Sequence, residues 1–128
     1  MVIATNKGGL YATELHANNH IIIADEPEEN GGKNRGPSPG DFLRMSLASC
    51  TAITLRMCAT RKNFDVKEIQ VNVSSEQIDG ETYFNRTIHI TGHLDQTQHE
   101  RMLKIANACP VHKVLTHAIH IETSLLAS

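Results

Sequence analysis

Tryptophan is absent from this chain, and only five aromatic side chains are present: Tyr11, Tyr83, Phe42, Phe64 and Phe84. That is too few for the stacking platforms on which proteins lay out single-stranded nucleic acid. Positive charge is not in excess either. Twelve Lys and Arg face 14 Asp and Glu, for a formal charge of −2, so no electrostatic footprint for DNA or an anionic membrane is visible. No apolar run approaches the ~20 residues needed to cross a bilayer. No basic segment followed by an apolar one opens the chain, so a secretory signal is not expected. The three cysteines, Cys50, Cys58 and Cys109, include no Cys-x-x-Cys pair. An odd cysteine count without an export signal is a poor disulfide framework and fits a reducing, cytoplasmic setting. The expectation is a cytoplasmic protein that binds neither nucleic acid nor membrane.

With 128 residues, the chain suits one α+β domain, 1–128, large enough to bury a real core. Val2 to Thr5, Leu10 to Leu15 and His20 to Ala24 read as three strands, punctuated by Lys7-Gly8-Gly9 and Asn18-Asn19. Residues 25–40 are rich in Gly, Pro and charge and read as a long loop, of the kind that is often functional or covers a partner subunit. Ser38 is then a helix N-cap, Pro39 stands at the first helical position and Asp41 completes a capping box. From Phe42 to about Arg61 neither Gly nor Pro intervenes, which predicts a helix of about 20 residues, ~30 Å long. Its apolar side chains run almost all the way round, so it must be surrounded. A chain this short has little material for that, and a second copy is inferred to supply part of the cover.

After Asn63 the apolar period becomes two: Ile69, Val71, Val73, then Phe84, Ile88, Ile90, with Asp79-Gly80 marking a hairpin. Thr97 and Glu100 read as a second capping box, ahead of Met102, Ile105, Ala106 and Cys109 at helical spacing. Pro110 ends that helix and opens a short one to about His117, and Ile119 and Ile121 close the chain as a final strand.

Chemistry centres on two cysteines. Cys109 precedes Pro110 as an N-cap, where free backbone N–H groups favour a thiolate, and His112 is placed to add positive charge. Cys50 lies mid-helix, where burial alone raises a thiol pKa. If it is reactive, a cation from elsewhere must activate it, with Arg35, Arg56 and Lys7 as candidates. The alternative for each cysteine is a small core residue. Cys109 and His112, with His117 and His120 nearby, have partial metal-ligand spacing, but the fuller Cys/His pattern of a zinc site is missing. His89 and His93 lack a helical Glu motif, GGKNRG lacks the ending of a phosphate loop, and no Ser sits in a nucleophile elbow.

Asp25-Glu26-Pro27, Gly31-Gly32, GPSPGDFL (36–43), LASCTAITLRM (47–57), Arg61-Lys62 and IANACPVHKVL (105–115) together resemble the OsmC/Ohr family of thiol peroxidases, nearest its smaller OsmC-like branch. The resemblance implies an OsmC-like fold of three strands, a long central helix, two strands, two short helices and a final strand, in an interlocked homodimer. It implies that Cys50 is the peroxidatic and Cys109 the resolving cysteine, reducing organic hydroperoxides, with an external dithiol, of lipoyl type, restoring the pair. No cofactor or metal is implied. Two positions depart from the family. Its peroxidases carry Glu where this chain has Gly40, with Asp41 beside it, and an N-terminal Arg, whereas no Arg precedes Arg35. Arg35, Asp41 and Arg56 are therefore the candidates for an activating or positioning role. Cys58, about 80° round the helix from Cys50, is expected to pack. The rival expectation is a non-catalytic, dimeric ligand-binding or redox-sensing protein on the same fold.

Overall fold

Residues 1–126 are described by a computed structural model. The chain divides into two compact units, Met1–Met45 and from Ser46 onward. In the first, β1 (Val2–Thr5), β2 (Thr13–Ala17) and β3 (His20–Ala24) form an antiparallel sheet in the order β1-β2-β3. β2 begins later than its expected span, because the Asn6 side chain ties back to the Leu10 and Ala12 carbonyls and extends the turn. Asn18 takes the left-handed conformation (φ 55°) at the β2–β3 turn, as expected of it.

Loop 25–38 is ordered by hydrogen bonds rather than structureless. The buried Asp25 carboxylate accepts from the backbone N–H groups of Glu26 and Arg35, at 2.7 and 3.0 Å. These bonds, the Arg35 one foremost, hold its pKa below the usual carboxylate range despite burial. A short 3-10 turn spans Glu28–Asn30, and Asp25 N–H donates to the Pro37 carbonyl.

The capping box at Ser38 is present. Asp41 N–H donates to Ser38 Oγ at 3.3 Å, and Ser38 N–H donates to the Asp41 carboxylate at 3.0 Å. It opens α1 (Pro39–Lys62), which continues through the second unit. There Leu47, Thr51, Leu55, Cys58 and Ala59 form its buried stripe. Ile53 and Met57, 55% and 57% exposed, mark the uncovered side.

β4 (Asp65–Ile78) and β5 (Glu81–His93) pair as one long antiparallel hairpin. Asp79 and Gly80, both at positive φ, make the turn. A bulge between Val66 and Glu68 bends β4. Opposite it, Gly92 (φ 143°) has no room for a side chain, since a Cβ there would lie 2.1 Å from the Asp65 carbonyl oxygen. Arg56 of α1 donates to the carbonyls of Val66 and Lys67 at 2.9 and 3.0 Å, fastening the helix to the bulge.

The second capping box differs from the expected one. Asp95 caps α2 (Gln96–Ala106), accepting from Gln98 N–H, and the Gln98 side chain returns the bond to Asp95 N–H. Asp95 reaches the first free N–H groups of α2 two residues before Thr97, so Thr97 falls inside the helix. The core joins Leu55, Cys58 and Ala59 to Met102 and Ala106, with Phe64, Val66, Ile69, Ile88 and Ile90 against them. α3 (Pro110–Leu115) follows, with Cys109 as its N-cap. The expected closing strand is not formed. Residues 118–126 carry no strand pairing, and Ile119 and Ile121 are exposed. A strand needs a partner edge, and among the described residues this segment has none.

Candidate functional site

Cys109 reaches its position through local chemistry. Pro110 forces the preceding residue out of helical conformation, and Cys109 adopts φ −66°, ψ 148° as the N-cap of α3. Its sulfur accepts the His112 backbone N–H at 3.4 Å. The residue is 0% exposed. Cys50, brought by α1 from 59 positions earlier in the chain, lies beside the Cys109 sulfur. Both cysteines are free, and Cys50 is only half-buried. Cys58 points away into the core with Leu55 and Ala59, consistent with the packing role expected of it.

Thr51, fully buried one residue after Cys50, stands near the same sulfur. Its Oγ1 donates to the Leu47 carbonyl at 2.7 Å and lies 3.8 Å from Cys109 Sγ. One hydroxyl proton therefore has two acceptors within reach. It can turn to a thiolate while an oxygen lone pair still faces the residue beyond, Arg86.

Sequence reasoning missed Arg86. It lies on β5 in the inward register of Phe84, Ile88 and Ile90, where an apolar side chain belongs. That break in the alternation was the available signal. Arg86 Nη1 donates to Thr51 Oγ1 at 3.0 Å, and Nη2 donates to Asn107 Oδ1 at 3.0 Å and His112 Nδ1 at 3.1 Å. A single guanidinium fork thus ties α1, the end of α2 and α3 to the sheet. Because a guanidinium has no acceptor, Nδ1 of His112 must be unprotonated and the ring proton must sit on Nε2. Burial, then the Arg86 charge, holds the His112 pKa below its ordinary 6.5. His112 contributes a neutral ring and a backbone N–H here, rather than the positive charge expected of it.

Burial pushes the Cys109 thiol up. It is outweighed by the His112 backbone N–H, the Thr51 hydroxyl, the Cys50 thiol and the Arg86 charge, which together leave the Cys109 pKa below the ordinary 9.0. Arg56 is committed to the β4 bulge. Lys7 and Arg35 belong to the first unit, where Arg35 shares a cleft of about 380 Å³ with Gly8, Gly9 and Asp25. Asp41, also in the first unit, gives its carboxylate to Arg44 at 2.8 Å and to Ser38. The Arg44 bond, then the two from Ser38, lowers its pKa. Among the described residues no cluster of three or more His, Cys, Asp or Glu side chains could hold a metal ion. Nor is any described helix long and apolar enough to cross a membrane.

This arrangement is chemically a dithiol: one half-buried thiol, a second, fully buried sulfur beside it, and donors arranged to favour negative charge on the second. The chain is similar to a Psychrobacter arcticus 273-4 protein named for an osmotic stress induced and detoxification response. The two are 28% identical, with a TM-score of 0.75, over 93% of this chain and 87% of that one. An OsmC-like protein from Mycoplasma pneumoniae is 20% identical, with a TM-score of 0.73, over 90% of this chain and 85% of that one. The organic hydroperoxide resistance protein OhrB of Bacillus subtilis shares the fold at 21% identity and a TM-score of 0.58, over 91% and 90% of the two chains. No curated protein matches the sequence. The sequence profile described as OsmC-like protein matches residues 31–124, and with that match covering both cysteine motifs the chain belongs to the OsmC family.

Proposed function

We propose that this chain is a thiol-dependent peroxidase that reduces organic hydroperoxides. The observation that carries the reading is a half-buried Cys50 beside a fully buried Cys109 sulfur. The accessible sulfur can meet a peroxide; the buried one can meet only its neighbour. In this cycle the Cys50 thiolate attacks the peroxide O–O bond, releases the alcohol and becomes a sulfenic acid. The Cys109 thiolate then attacks the Cys50 sulfur, and hydroxide leaves as water after protonation. An external dithiol, of lipoyl type, reduces the disulfide by exchange. Sulfur carries both electrons, so the cycle calls for no prosthetic group. Supporting the substrate class, the Bacillus subtilis structure is named for organic hydroperoxide resistance, as is one from Legionella pneumophila.

The same reading places the protein in the cytoplasm as an antioxidant homodimer. The exposed Ile53 and Met57 on α1, and the unpaired segment with Ile119 and Ile121, are what a second copy would cover.

Stopped-flow loss of thiols, with cumene hydroperoxide compared against hydrogen peroxide, tests the proposal. Wild type should lose two thiols per chain rapidly and favour the organic peroxide. Cys50→Ser should lose the reaction, and Cys109→Ser should complete one reduction per chain without forming a disulfide. Dithiol-driven turnover that survives Cys50→Ser would refute the assignment of roles.

A further inference from the structure

We propose that Arg86 is a positioning residue of this site: through the Thr51 hydroxyl it supplies the positive charge that favours a thiolate at Cys109, the resolving sulfur of the peroxidase reading. The inference rests on that reading for what the thiolate then attacks; the relation between Arg86 and the sulfur is independent of it.

Arg86 has the geometry for this. Its fork is held by Thr51, Asn107 and His112, none of which carries negative charge. None of the ion pairs among the described residues involves Arg86. A half-buried cation without a carboxylate favours an anion nearby, and the sulfur of Cys109 stands one hydroxyl away, beyond Thr51. The titratable groups facing that sulfur are Cys50 from α1, Arg86 from β5 and His112 from its own helix. With His112 neutral, Arg86 is the one cation of this set.

The test is the thiolate absorbance at 240 nm of a Cys50→Ser/Cys58→Ser background, in which Cys109 is the sole thiol. Its titration should fall below the ordinary thiol range. Arg86→Gln should move it upward by about one unit or more, roughly tenfold in proton affinity, while Arg86→Lys, which keeps the charge, should restore most of that. Circular dichroism establishes that each variant is folded; should Arg86→Gln not fold, the position of the parent titration and the Lys variant decide. A parent that titrates as an ordinary thiol, or a folded Arg86→Gln that titrates like the parent, overturns the role of Arg86.

This readout uses no peroxide, so a protein that passes it and reduces no hydroperoxide would retain this inference and lose the peroxidase reading.

Discussion

Replacing Thr51 with valine isolates the polar contact on which the site is built. The two side chains have nearly the same shape, so the substitution leaves no cavity, but it is not conservative, because the hydroxyl is in use. Oγ1 accepts from Arg86 Nη1 at 3.0 Å and donates to the Leu47 carbonyl at 2.7 Å, at a position with no solvent exposure. The Leu47 carbonyl still has its helical N–H partner in the variant. Arg86 does not regain an acceptor for Nη1. Loss of a hydrogen bond from a charged donor costs about 1.5–3 kcal/mol. Because Nη2 keeps Asn107 and His112, the lower end applies, about 1.5 kcal/mol. For a chain of this length that is a fall of roughly 5 °C in Tm. Urea denaturation of the reduced protein measures it. Thr51→Ser, which keeps the hydroxyl and loses one methyl, should cost about 1 kcal/mol or less and leave the Cys109 thiolate titration in place, whereas Thr51→Val should move that titration upward. If Thr51→Val matches wild type in both stability and titration, the Arg86–Thr51–Cys109 chain has no energetic meaning.

Four further outcomes follow from the geometry. Leu55→Ala, at a fully buried core position, should destabilise by about 3–4 kcal/mol in the same urea assay, the range for a Leu cavity that cannot collapse. Gly92→Ala combines a positive φ with a Cβ placed against the Asp65 carbonyl, and should lower Tm by more than the Thr51 variants; a neutral result would mean that the β4 bulge is not rigid. For pH, the folded His112 is held below 6.5, so just below that value the unfolded chain binds more protons than the folded one. Stability then falls as pH drops from about 6.5 through the folded pKa, and His112→Gln should flatten this slope. The lowered thiol pKa of Cys109 has the same sign at the other end. Reduced wild type should gain stability over Cys109→Ser as pH rises from the folded pKa of Cys109 toward 9.0, which paired denaturation curves in alkaline buffers would show.

Features written in adjacent residues were legible without a structure. Asp79-Gly80 can hardly be anything but a tight hairpin, Ser38 and Asp41 cap α1 as their spacing demands, and Cys109 before Pro110 is an N-cap because proline excludes the alternative. The cap of α2 was misplaced because two acceptable boxes overlap, and Asp95 with Gln98 takes the earlier helical N–H groups. The closing strand was overread from Ile119 and Ile121, since alternation describes a strand's faces and not the edge it must pair with.

The site divides along the same line. The two cysteine motifs, their helix and their N-cap were determined by the sequence, because backbone conformation there depends on neighbours a few residues away. Three decisions belonged to tertiary structure. Arg86 was visible only as a charge in an apolar register, and nothing in the chain order says that it would meet residues 35 positions before it and 21 and 26 after it. His112 reads as a cation until a guanidinium is placed against its Nδ1. Cys50 has no local activating group, and the cysteine it lies beside is 59 residues away in the chain. Electrostatics acts through space, so the charges that set a thiol's reactivity are assigned only when the strand and three helices have closed around it.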